Sequence, residues 1–149
     1  MAGFFGEYHH QIDEKGRLRI PAKLKEKLGE LPFITRGPNN SLMVLPHEEA
    51  VKLFADRFRS LDPLDPVNNK AKRIMASSGI YAEEDKQGRI LLPDVLIKHA
   101  GIDKNVVTIG VYTHVEIWSE EEWTKYTSIT AEEFDECLKN VPPPEASHE

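Results

Sequence analysis

Apolar and polar positions along the chain follow one order of short elements, and that order occurs twice. Each copy reads as strand, turn, strand, short helix, strand, turn, strand and helix, with alternation in the strands and three- or four-residue spacing in the helices. "RLRI" and "RILL" are strand-like, and Pro21 and Pro93 end them at the first turn of a helix. The helices "PAKLKEKLG" and "PDVLIKHAG" each finish at a glycine placed for a C-terminal cap. "FITRGPNNSLMVL" and "VVTIGVYTHVEIW" predict hairpins with polar turns between β-branched and aromatic residues. A helix from near Pro46 puts Val51, Phe54, Phe58 and Leu61 on one face. Its counterpart opens with Ser119 and Glu122 at capping-box spacing.

The repeat is literal as well as patterned. "DEKGRLRIP", Asp13 to Pro21, returns as "DKQGRILLP", Asp85 to Pro93, 72 positions later. Leu24 and Gly29 match Leu96 and Gly101 in that register. After one inserted residue, Thr35 and Gly37 match Thr108 and Gly110, and Glu48, Glu49 and Lys52 match Glu121, Glu122 and Lys125. The expected organisation is a first repeat over 7–59, a linker and bridging helix over 60–78, and a second repeat over 79–127. A C-terminal helix over 128–141 and a disordered tail over 142–149 complete it. The bridging helix, Val67 to Met75, carries Ala71 and Ile74 on its apolar side, and Thr130 and Glu133 cap the last helix, whose stripe is Phe134, Leu138 and Val141. A fifty-residue unit of short strands has little core and open edges, so the copies are expected to pair about a pseudo-two-fold axis that closes those edges.

Charge alters this picture through its distribution. The 149 residues carry a net −6, which argues against a nucleic-acid partner. From Glu116 onward, however, ten acids face two lysines, a net of −8, so residues 1 to 115 carry +2. Asp13 to Lys27 holds six bases (Lys15, Arg17, Arg19, Lys23, Lys25, Lys27) against three acids. The acidity is C-terminal, and the first repeat is locally basic.

In "DEKG" and "DKQG" the aspartate can accept backbone N–H bonds and the glycine allows positive φ. For one copy, the plain reading is a solvated turn arginine paired with its aspartate. Two copies on a symmetric scaffold favour DNA contact by Arg17 and Arg89, through guanine or phosphate, with Asp13 and Asp85 orienting them. Lys15, Arg19 and Lys86 flank these turns, and Lys23 lies on a basic helix face suited to phosphate.

Other chemistries find little support. His9 and His10 point to opposite faces of a strand, and His47, His99 and His114 share no metal-ligand spacing. The acids at Glu83, Glu84, Asp85 and Glu120 to Glu122 suit solvated turns and helix N-termini. The chain contains no nucleophile motif, P-loop or dinucleotide fingerprint. No metal, cofactor, small-molecule ligand or enzymatic activity is expected. One cysteine, Cys137, excludes an intrachain disulfide, and the start lacks the form of a secretory signal, so a cytoplasmic location is expected.

With "FFGEY", "DEKGRLRIPAKLKEKLG", "DKQGRILLPDVLIKHAGI" and "VVTIGVYTHVEIW", the sequence resembles the MraZ family within the AbrB-like swapped-hairpin regulators. The resemblance runs from about Phe4 to Tyr126; Ala2-Gly3 departs from the family's usual start, and nothing after Asn140 matches it. It implies an α+β, mostly β fold, a double-psi or swapped-hairpin AbrB-like barrel with both halves in one chain and peripheral helices. It also implies a ring-like homo-oligomer and a nucleoid-associated regulator, usually a repressor, of double-stranded DNA. The implied target is tandem promoter boxes of the division and cell-wall gene cluster. The functional pairs carried over are Asp13 with Arg17 and Asp85 with Arg89. Two other readings remain open: a ring-shaped adaptor for protein partners, favoured by the acidic C-terminal segment, and an AbrB-like antitoxin. Two hairpin copies and a short tail fit the antitoxin poorly.

Overall fold

The computed structural model describes residues 3–145 as a mostly antiparallel α+β molecule. Its strands are β1 (Glu7–Gln11), β2 (Arg17–Leu18), β3 (Phe33–Arg36), β4 (Leu42–Leu45), β5 (Ile80–Tyr81), β6 (Ile90–Leu91), β7 (Asn105–Gly110) and β8 (Val115–Ser119). The α-helices are α1 (Ala22–Leu28), α2 (His47–Val51), α3 (Lys70–Ser78), α4 (Asp94–Ala100), α5 (Glu120–Thr127) and α6 (Ala131–Lys139). No described helix is long and apolar enough to cross a membrane.

Six strands form one sheet in the order β1-β7-β8-β4-β3-β5, and β2 pairs with β6 as a separate ribbon. The two hairpins, β3–β4 and β7–β8, meet through β4 and β8 at the centre. Each opening strand crosses to the other repeat. β1 pairs with β7 from Glu7↔Ile109 to Gln11↔Asn105, and β5 pairs with β3 through Ile34↔Ile80. The expected two-fold pairing is therefore visible in the strand order, but the sheet is not closed. β1 and β5 remain as its two edges.

The main core lies between one sheet face and the layer of α1, α4 and the ribbon. Leu18, Leu24 and Ile34 from the first repeat meet Ile90, Leu96 and Val106 from the second. Each such side chain contributes about 1.5–3 kcal/mol on burial. The opposite face of β7–β8 carries Val107, Ile109 and Trp118 beneath Trp123 of α5. That second layer explains why "VVTI" reads as an unbroken apolar run rather than an alternation.

Several local expectations shift. The helix after Pro46 changes at Lys52–Arg57 into a π-helical turn and then a 3₁₀ turn at Phe58–Ser60. The wider turn rotates the face, so Leu53 is buried and Val51 is exposed. The bridging helix begins at Lys70 and keeps Ile74 half-buried, while Ala71 is exposed. Pro21 and Pro93 stand just before their helices in extended backbone. Gly101 closes α4 in the left-handed region, whereas Gly29 leaves α1 at φ 84, ψ −166 without a cap of that kind. Ser119 and Thr130 do cap α5 and α6, accepting from Glu122 N and Glu133 N at 3.1 Å. Of the expected tail, 142–145 has no regular structure, and 146–149 lies outside the described residues.

Candidate nucleic-acid interface

Both Asp-x-x-Gly-Arg segments fold into the same hydrogen-bonded turn. In the first, Asp13 N donates to Arg17 O at 2.9 Å and Gly16 N to Asp13 O at 3.0 Å. Asp13 Oδ1 accepts from Lys15 N at 3.0 Å and Arg17 N at 2.9 Å, and its Oδ2 accepts from Arg17 Nε at 2.7 Å. In the second, Asp85 N donates to Arg89 O at 2.8 Å and Gly88 N to Asp85 O at 3.0 Å. Asp85 Oδ1 accepts from Gln87 N at 2.8 Å and Arg89 N at 2.9 Å, and its Oδ2 from Arg89 Nε at 3.0 Å. One carboxylate thus closes the turn and fixes the arginine it presents. The backbone N–H of Arg17, then that arginine's side chain, hold the Asp13 carboxyl below its ordinary pKa. Arg89 does the same for Asp85.

The ribbon brings the turns together. Arg17 stands opposite Leu91 and Leu18 opposite Ile90, and Leu92 N donates to Gly16 O at 2.9 Å. Arg19 Nε reaches across to Gln87 O at 3.0 Å, and Arg89 Nη1 lies 3.8 Å from Asp13 Oδ2. Arg17, Arg19, Lys25 and Arg89 line one cleft of about 790 Å³ between the ribbon and β1, whose Tyr8 and His10 form the other wall. Lys15 and Lys86 are exposed on the turns. Lys23 is exposed on α1 and makes no hydrogen bond or ion pair with either turn among the described residues.

Three participants escaped the pattern. Glu84, expected as a solvated acid, binds Lys25 Nζ at 2.6 Å and fastens α1 to the second turn. Gln87 acts through its carbonyl, which no side-chain motif announces. His10 Nε2 contacts Thr108 Oγ1 at 2.6 Å, and burial lowers its pKa. His9, on the other face of β1, instead meets Glu7 at 2.7 Å and Glu120 at 3.5 Å. Its hydrogen bond with Glu7 raises its pKa. No group of three or more potential metal ligands gathers among the described residues.

An internally duplicated α+β chain, presenting two aspartate-clamped arginines from one antiparallel ribbon, is the class that fold and site define. The family model described as "MraZ protein, putative antitoxin-like" matches residues 4–62 and 80–140. A protein of Desulforamulus reducens named transcriptional regulator MraZ is 41% identical over 139 residues, covering 93% of this chain and 96% of its own length. Proteins of the same name from Heliobacterium modesticaldum and Oenococcus oeni are 44% and 42% identical, over the same shares of each chain. The chain belongs to the MraZ family.

Proposed function

We propose that this protein is a DNA-binding transcriptional regulator whose two Asp–Arg turns form one recognition surface. The observation that carries this reading is the duplicated clamp on a single ribbon. A guanidinium held at Nε can turn its outer nitrogens to guanine O6 and N7 or to a phosphate, both of them at Arg17 and chiefly Nη2 at Arg89, whose Nη1 lies 3.8 Å from Asp13 Oδ2. Arg17 and Arg89 make these contacts, Asp13 and Asp85 orient them, and Lys15, Arg19, Lys23 and Lys86 meet the flanking phosphates. The names of the relatives support the regulatory role.

The finer reading is repression of the division and cell-wall gene cluster from tandem promoter boxes, by a ring-like homo-oligomer on the nucleoid and without catalysis. Residues 7–59 and 79–127 act as the two repeats of one swapped-hairpin barrel. The crossing of β1 and β5 supports that arrangement. Tandem boxes suit an oligomer, because linked weak contacts gain avidity of roughly 10² to 10⁴ when their spacings agree. The test is fluorescence anisotropy with the promoter DNA upstream of the protein's own gene, against a scrambled duplex. Preferential binding to the promoter is expected, stronger with three boxes than with one. Equal binding to promoter and scrambled DNA would remove the reading.

A further inference from the structure

Two apolar surfaces lie at opposite ends of the sheet, and they differ in shape and charge. At the β5 end, Phe33, Val51, Phe54, Ala76 and Tyr81 line a groove of about 380 Å³. Its aromatic rings interlock edge to face, with Phe33 5.6 Å from Phe54 and 5.8 Å from Tyr81. One wall is α3, whose nine residues hold Lys70, Lys72 and Arg73 and no acid, a charge of +3.

At the other end, α5 packs on β7–β8 and leads into α6. Phe134, Leu138 and Val141 form a stripe at spacings of four and three, and all are more than half exposed. None of the residues of α6 is buried. Its nine residues hold Glu132, Glu133, Asp135 and Glu136 against Lys139, a charge of −3. A two-turn helix in water with nothing on its apolar face is marginal. Its own groove is built on β3 and β5, with β4 between it and the β7–β8 pair that carries α5.

We infer that α6 of one copy docks in the Phe33–Phe54–Tyr81 groove of the next, its acidic flanks against α3. This deepens the self-association in the proposed function and rests on it, but it does not depend on DNA. The helix brings one aromatic and two aliphatic side chains to an apolar groove, the usual form of helix-in-groove recognition. The −3 of α6 complements the +3 of α3 and disfavours pairing of α6 with a second acidic helix. Because the two surfaces differ, the contact is head-to-tail, and every copy keeps one of each free for another neighbour.

Two full-length variants test this, each altering only exposed residues. Phe134→Asp/Leu138→Asp removes the stripe, and Ala76→Glu places a carboxylate in the groove that blocks it and repels the acidic helix. By light scattering at micromolar concentration, the native chain is expected to be a closed or extended oligomer. Each variant alone is expected to fall to the 17.0 kDa chain mass with unchanged circular dichroism. Mixed together, they retain one intact stripe and one intact groove and are expected to give a 1:1 dimer and nothing larger. Variants that assemble like the native chain would overturn the α6 docking while leaving self-association standing. A native monomer would overturn both. Monomeric variants that fail to pair on mixing would overturn the head-to-tail contact.

Discussion

Gly16 and Gly88 occupy equivalent places in the two turns, with φ of 84° and 79°, yet alanine should affect them unequally. At either site an L-residue in this region costs about 1–2 kcal/mol. A Cβ on Gly88 meets only the flexible ends of Glu84 and Lys25, at 3.6 and 3.9 Å. On Gly16 it meets Ile97 Cδ1 at 3.0 Å and the backbone oxygen of Leu92 at 3.3 Å. That backbone cannot retreat freely, because Leu92 N is bonded to Gly16 O at 2.9 Å. Overpacking of this kind adds about 1–3 kcal/mol. Gly88→Ala should therefore cost about 1–2 kcal/mol and Gly16→Ala roughly 2–5 kcal/mol. For a chain of this size each kcal/mol lowers Tm by about 2–4 °C, so the two melting curves should separate clearly. Urea unfolding followed by fluorescence of Trp118 and Trp123 measures both, at one fixed protein concentration so that self-association does not bias the comparison. Equal losses, or a larger one for Gly88→Ala, would refute the reasoning.

Three further outcomes follow from the site. Arg17→Ala should weaken promoter binding more than Arg89→Ala. Asp13 to Lys27 carries +3 (six bases, three acids) and the matching Asp85 to His99 carries +1 (three bases, two acids), and Arg89 Nη1 already faces Asp13. Loss of the Arg17 contact should cost about 1–3 kcal/mol by anisotropy, and the reverse order with assembly intact would defeat the charge argument. Affinity should fall steeply with salt despite the acidic composition, with a slope near about −5 in log–log form if all six proposed bases meet phosphate. A slope near zero would exclude a phosphate interface. Asp13 and Asp85 have folded pKa values below the ordinary 3.8. Their contribution to stability is thus present above that pH and lost as pH falls through the folded values. Urea midpoints measured downward from pH 5 should fall less for Asp13→Asn/Asp85→Asn than for the native chain, and parallel curves would sink the assignment.

The Asp–Arg turns were legible in the sequence because everything that forms them lies within five residues. The hairpins were legible for the same reason, since a polar turn between β-branched runs is local information. The crossing of β1 to β7 was not, because it joins Glu7 to Ile109 and no spacing rule reaches that far. The open sheet follows from the same non-local pairing. The π-helical turn at Lys52–Arg57 was hidden because its residues fit an ordinary helical spacing equally well, and burial of Leu53 decides between the two. Around the site, Lys25–Glu84 and Arg19–Gln87 O escaped because each joins the two repeats, where side-chain identity says little about which charges or carbonyls meet.

The exchanged first strand also bears on how the chain is made. β1 leaves the ribosome well before its partner, β7, which begins at Asn105, 94 residues after Gln11. At roughly 5–20 residues per second, β1 waits about 5–20 s before that partner exists. During this interval the hairpin β3–β4 can form, but it lacks both β5 and β8 as neighbours. The first repeat therefore spends its early life as an unfinished half, vulnerable to pairing with another nascent chain on the same message. Assembly order, more than sequence, decides whether its edges are met by the second half of its own chain or by a stranger's.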